Sequence, residues 1–365
     1  MSSLPDFPWD RLAPYAAVAR AHPDGLIDLS VGTPVDPTPD VVRRALADAS
    51  DAPGYPAVYG TDRVRTAAAG WLARRFGVTV DPVTQVLPTV GSKELVTLLP
   101  TLLGCTGPVL FPDLAYPSYD IGARIAGCEP VPVPTGDGLL ELAALDRLGA
   151  GAALLWVNYP ANPHGRVAPA GHLAELAAWG RASGVLVVSD ECYLEFGYAA
   201  PATSMLEHGA DGVLMLHSLS KRSNMAGYRA GIVAGDAAVI RTLLEVRKHA
   251  GIIVPTPVQA AMAAALDDDA HVDEQRARYA ERRAVMSEAL QSAGWRIDHS
   301  GGGLYLWVTH PLHDCWSAVD KLSKAGILVA PGEFYGAAGR SHVRFAMTST
   351  TDQIRAAAHR VETLL

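Results

Sequence analysis

This chain of 365 residues has no excess of basic charge, no long apolar run and no paired cysteines. Its 30 lysines and arginines are outnumbered by 38 aspartates and glutamates, giving a net charge of −8, which argues against a general nucleic-acid surface. No apolar stretch approaches the roughly 20 residues that a membrane-spanning helix needs. The opening Met1-Ser2-Ser3-Leu4-Pro5-Asp6 has neither the basic nor the apolar stretch of a secretory signal. Cys105, Cys128, Cys192 and Cys315 stand apart with no Cys-x-x-Cys spacing, and the twelve histidines are scattered. The expectation is a cytoplasmic protein with reduced thiols and no structural metal. Three catalytic loops are missing too. There is neither Gly-x-Gly-x-x-Gly nor a Walker loop, which weakens a nicotinamide, flavin or nucleotide reading. The absence of Gly-x-Ser-x-Gly weakens a serine hydrolase reading.

What is there is an ordinary globular composition, 49% hydrophobic and 19% charged, long enough for a large and a small domain. From residue 62 onward, helical spacing alternates with short apolar runs. The runs 151–157, 185–189, 212–216 and 230–234 read as buried strands, with helices at 62–76, 91–103, 118–126, 169–183, 236–249 and 256–267. Continuous apolar strands between helices indicate an α/β fold with a mostly parallel sheet covered on both faces. In such sheets the ligand site lies at the carboxyl ends of the strands. The texture changes near Asp267-Asp268-Asp269, where a charged helix and then alternating strands and helices suggest a smaller α+β domain. We expect a large domain over 51–266 and a small one built from 1–50 and 267–365.

The chemistry centres on His217-Ser218-Leu219-Ser220-Lys221-Arg222, with Arg229 eight residues after the lysine. A desolvated lysine at the end of a core strand loses its proton near neutral pH and can attack a carbonyl. A solvated loop lysine is the bland alternative. Two other strand ends carry polar residues: Asn158 to Gly165 after one strand, and Asp190-Glu191-Cys192-Tyr193 after the next. A carboxylate at the end of a buried strand is costly unless paired or bonded; a cationic ring nitrogen suits Asp190, and so does a helix cap. Val90-Gly91-Ser92-Lys93-Glu94 opens a helix, either as an anion site or as an ordinary cap.

In order and spacing these motifs resemble the fold-type I pyridoxal-phosphate enzymes, specifically the class I/II aminotransferases. The resemblance implies a seven-stranded sheet in the large domain and pyridoxal 5'-phosphate carried by Lys221, whose amine later moves the substrate proton. It implies Asp190 on the pyridine nitrogen, with Asn162 and Tyr193 bonding the ring hydroxyl. Ser92, Lys93, Ser218, Ser220 and Arg229 surround the phosphate. Tyr116, in a Pro-x-x-x-Tyr-Pro-x-Tyr segment one residue longer than the family's, stacks on the ring, and Tyr119 is assigned to packing. The resemblance also implies a homodimer with shared sites, in which Tyr55, favoured over the competing Tyr59 by its spacing to Gly60, is expected to reach the phosphate of the partner subunit. Arg344 pairs with the substrate carboxylate, a bidentate task suited to a planar fork, with Asn162 and the Gly32 backbone beside it.

A finer resemblance is to the actinobacterial succinyldiaminopimelate aminotransferases, on the segments Thr89 to Glu94 and Arg247 to Pro255. It implies ping-pong exchange between glutamate and N-succinyl-2-amino-6-oxopimelate, in lysine and diaminopimelate biosynthesis. Lys93, Arg247, Lys248 or Arg20 is then expected to hold the distal carboxylate. An aminotransferase of other specificity (aspartate, alanine or aromatic), or a lyase on the same scaffold, stays open.

Overall fold

The computed structural model describes residues 4–364. Its centre is a seven-stranded sheet in the order Val86–Val90, Ala230–Gly235, Val213–Ser218, Leu186–Asp190, Leu154–Val157, Val109–Pro112, Pro130–Val133. Only Ala230–Gly235 runs against its neighbours; the other adjacent pairs are parallel. Alternate residues of the central strands enter two separate cores. Leu155, Val157, Val187, Val213 and Met215 face the core closed by helices Asp62–Phe76, Ala170–Ser183 and Thr256–Asp267. Leu154, Trp156, Val188, Leu214 and Leu216 face the core closed by Gly91–Leu102, Ser118–Ile125 and Ala237–Ala250. Burial on both faces is why these strands are apolar throughout rather than alternating.

A second, four-stranded antiparallel sheet runs Arg296–Asp298, Tyr305–Thr309, His342–Ala346, Ala330–Pro331. It shares a core with helices Ala270–Ser292, Cys315–Lys324 and Thr351–Glu362, and with Leu12, Ala16, Ile27 and Leu29 near the start of the chain. Strand Ile27–Asp28 pairs in parallel with Ile327–Leu328. Helix Asp40–Asp48 behaves differently, because its Val42 is buried in the core of the large sheet. We therefore propose two lobes whose first boundary falls ahead of Asp40, rather than at residue 50. Among the described residues no helix is long and apolar enough to cross a membrane.

Sequence periodicity also misses several short elements: helix Leu142–Leu148, the pair Thr135–Gly136 with Leu139–Leu140, and strand Arg296–Asp298. Pieces of two to seven residues carry too few turns or alternations to show a period.

Two buried acids lie behind the sheet's carboxyl edge. Glu195 accepts from the Trp71 indole at 2.8 Å and from Arg75 at 3.0 Å, and it pairs with the fully buried Arg222 at 3.3 Å. Burial raises its pKa, but the Arg222 guanidinium, the indole and Arg75 outweigh this and hold it below the usual carboxylate range. Glu191 forms no ion pair among the described residues; it accepts from the Met205 N–H at 2.7 Å, and burial pushes it up to about 7. The signs are opposite. Glu195 adds stability at neutral pH that is lost as pH falls through its depressed pKa. Glu191 holds its proton in the folded state, so stability falls as pH rises from the ordinary glutamate value toward 7. Glu191→Gln should flatten that loss, on the order of 2–3 kcal/mol, in thermal unfolding between pH 5 and 8. An unchanged pH slope would contradict this assignment.

Candidate active site

The parallel register sets the carboxyl ends of neighbouring strands side by side: Val157 opposite Ser189, and Asp190 opposite Leu216. Asn158, Asp190 and Ser218 therefore line one edge. They open into a cavity of about 1240 Å³. Strand Val213–Ser218 extends two residues beyond the apolar run, and Ser218 then caps a single turn, Leu219–Arg222, by accepting from the Ser220 N–H at 3.2 Å. That turn aims Lys221 into the cavity, where its amine donates to the Gly32 carbonyl. Burial lowers the Lys221 pKa, and the Arg344 and Arg229 cations lower it further. The amine is thereby moved toward its neutral, nucleophilic form.

Asp190 is buried, yet its protein partners are neutral donors: the Tyr119 hydroxyl at 2.8 Å and the Cys192 N–H at 3.2 Å. Burial raises its pKa against those two bonds. Among the described residues it has no ion pair, so it presents an unneutralised acid to the cavity. The opposite charge balance holds around Gly91. Ser92, Ser218, Ser220 and Arg229 line the cavity there, and Arg229 has no acidic partner among the described residues. Gly91 adopts φ 70°, a conformation that favours glycine, and a Cβ on it would sit 2.5 Å from the Arg229 guanidinium, so a side chain there would push that cation from its present place at the helix start. An acid lacking a cation and a hydroxyl-and-cation cup lacking an anion match the two ends of pyridoxal 5'-phosphate.

The third cluster comes from the second sheet. Arg344 donates to Asn162 Oδ1 at 2.7 Å and to the Ser30 carbonyl at 2.8 Å, and its Nε is buried without a partner. Tyr193 shares a 3.0 Å hydrogen bond with Tyr305. Burial pushes Tyr193 well above its ordinary pKa. Burial also raises Tyr305, but the Arg344 and Lys221 cations outweigh it and leave that phenol lowered.

Lys221, Asp190, Asn162, Tyr193, Ser92, Lys93, Ser218, Ser220, Arg229, Tyr116, Gly32 and Arg344 all line this one cavity. Tyr55 is fully exposed and outside it, while Tyr59 is half-exposed beneath the Arg65 guanidinium. Tyr119, assigned to packing, does stack on Trp156, but its hydroxyl also serves Asp190. Of the four cations considered for a distal carboxylate, only Lys93 reaches the cavity. Arg247 is buried in an ion pair with Glu94 at 2.9 Å, and Lys248 bonds Glu245 on the surface. Arg20 lies exposed on the first helix, away from the lining residues. Tyr305 and Cys192 also line the cavity; Cys192 lies within Asp190-Glu191-Cys192-Tyr193, whereas nothing local in the sequence marks Tyr305.

This fold and cavity define a fold-type I enzyme dependent on pyridoxal 5'-phosphate. The chain belongs to the aminotransferase class I and II family, whose model matches residues 24–361. It is 55% identical to the 4-dedimethylamino-4-oxo-anhydrotetracycline transaminase of Streptomyces rimosus, over 99% of this chain and 100% of that one. It is 52% identical to a probable aminotransferase of Mycobacterium tuberculosis, over 99% and 86% of the two chains. A solved structure from Thermus thermophilus, a probable N-succinyldiaminopimelate aminotransferase, superposes with a TM-score of 0.90 at 31% identity, covering 98% of this chain and 100% of that one.

The anion cup makes a direct prediction. Arg229→Leu should raise the Kd of the apoprotein for pyridoxal 5'-phosphate roughly ten- to hundredfold, the range of a lost charge-assisted hydrogen bond, while leaving binding of unphosphorylated pyridoxal nearly unchanged. Absorbance titration measures both. Equal losses for the two ligands would remove Arg229 from the phosphate site.

Proposed function

We propose that this aminotransferase moves an amino group between glutamate and N-succinyl-2-amino-6-oxopimelate, by a ping-pong mechanism. The observation that carries the reading is a further cation in the cavity, apart from Arg344, the Arg229 of the anion cup and Lys221. Lys93 lines the wall beside Tyr116, with its amine 5.9 Å from that ring, and forms no ion pair among the described residues, whereas Arg124, also at the wall, is paired with Asp120. A substrate with carboxylates at both ends needs two such cations. The Thermus thermophilus neighbour's name supports the same acceptor.

In this reading Arg344 fixes the α-carboxylate of either substrate, with Asn162 orienting the guanidinium and Gly32 beside it. Pyridoxal 5'-phosphate, when bound, would supply a sink for the electron pair left as the α-proton departs. Asp190 would pair with its ring nitrogen, Asn162 and Tyr193 would hold the ring hydroxyl, Tyr116 would cover the ring, and Ser92, Ser218, Ser220 and Arg229 would hold the phosphate. Lys221 Nζ, which burial shifts toward its neutral form, would accept the proton from the α-carbon. Tyr55, projecting from its own subunit, enters the partner's site in a homodimer. The enzyme works in the cytoplasm, a setting that four free thiols fit.

A second reading has its own support. The cavity lining also includes Phe7, Phe111, Ile121, Pro130 and Pro132, among the charged Asp120 and Arg124, and the Streptomyces rimosus relative is named for a polycyclic ketone. A bulky apolar acceptor suits those apolar side chains.

Half-reactions separate the two. Glutamate should convert the holoenzyme, followed by cofactor absorbance, and the succinylated keto acid should regenerate it faster than pyruvate or an aromatic polycyclic ketone does. Lys93→Ala should raise KM for the succinylated acceptor roughly tenfold, with little effect on pyruvate. Equal effects on both acceptors, or faster turnover of the polycyclic ketone, would overturn the succinylated assignment.

A further inference from the structure

Arg344 has its two terminal nitrogens occupied, but hydrogen bonds along its edges do not prevent the guanidinium from tilting. Aromatic rings occupy that remaining space. The Tyr305 ring centroid lies 3.8 Å from Arg344 Cζ, and the Tyr335 centroid lies 4.8 Å from it. The sheet register produces the nearer contact. Tyr305 pairs with Ala346 and Trp307 with Arg344, so Tyr305 and Arg344 are diagonal neighbours on adjacent antiparallel strands. Tyr305 is itself held, because its hydroxyl bonds Tyr193 at 3.0 Å and a Cβ on Gly32 would collide with that hydroxyl. Gly32 is therefore bare on the side where Tyr305 passes, while its carbonyl accepts from Lys221.

We propose that Tyr305 is a positioning residue, whose ring packs against the Arg344 guanidinium and fixes its plane for a carboxylate in the cavity. A cation buried beside an aromatic ring is attracted by the ring quadrupole and loses tilting freedom that water would otherwise allow. The ring supplies this effect; the hydroxyl serves the Tyr193 contact. The inference rests on the reading of Arg344 as the carboxylate holder.

The test uses the holoenzyme and four variants, with two readouts: calorimetric Kd for a non-reacting dicarboxylate such as maleate, and kinetics with glutamate beside an amine that lacks an α-carboxylate. Arg344→Gln tests the underlying reading and should weaken maleate roughly a hundredfold. Tyr305→Leu should weaken maleate roughly tenfold and raise KM for glutamate by a similar factor, with a smaller change in kcat. Tyr305→Phe, which keeps the ring, should stay within about twofold of the parent. Tyr335→Leu gives the same readout from the second ring and stands in if Tyr305→Leu does not fold. The carboxylate-free amine should lose clearly less than glutamate does in every ring variant. If Arg344→Gln weakens maleate and the ring variants do not, the positioning role is wrong while the reading of Arg344 stands. If Arg344→Gln leaves maleate unchanged, that reading fails first. A loss in Tyr305→Phe equal to that in Tyr305→Leu, or an equal loss for the carboxylate-free amine, would also overturn the role.

Discussion

The site depends on a buried carboxylate that the chain does not neutralise. Asp190 ends a core strand, accepts from a phenol and an amide, and forms no ion pair among the described residues. Other enclosed acids are handled in two ways: buried Glu195 has Arg75 and Arg222 and half-buried Asp36 has Arg282 at 2.6 Å, whereas buried Glu191, which forms no ion pair among the described residues, is pushed up to about 7 by burial. Leaving a buried charge unpaired costs several kcal/mol, of a size that a ligand cation can offset. A protonated ring nitrogen is such a cation, and the rest of the cavity is arranged about a molecule that carries one at one end and an anion at the other.

That separation of charge also sets the state of the lysine. Arg229 and Arg344 both lower Lys221, adding to burial, while the acid that could stabilise its ammonium form is engaged with Tyr119 and Cys192. The same two arginines thus have double duties: each offers a fork to an anion and each disfavours charge on the amine. The cavity draws its parts from both sheets. Asp190, Ser218 and Lys221 come from the large one, Arg344 and Tyr305 from the small one.

Much of this was legible because the relevant signals are local. An apolar run ending in a polar residue marks both a parallel strand and the functional edge of the sheet, which is how Asn158, Asp190 and Ser218 stand out; the roles of Asp190, Asn162 and Lys221 came from the family resemblance. What was illegible depends on register or on packing between distant segments. Tyr305 sits in an ordinary apolar strand, and only its antiparallel pairing brings it to Arg344. Arg247 reads as an available cation until its pairing with Glu94, 153 residues away, is seen. Helix Asp40–Asp48 precedes any visible change in texture, so nothing in the sequence says which core Val42 enters. The substrate is least legible, since the same apolar lining residues and one free lysine are shared by chemically different acceptors.

The central claim is that one lysine of this chain carries the cofactor. Reducing the holoenzyme with borohydride, followed by proteolysis and peptide mass mapping, reads the attachment point directly. The account predicts a phosphopyridoxyl group on the peptide containing Lys221, with none on Lys93. The group on any other lysine, or no covalent attachment after reduction, would contradict it.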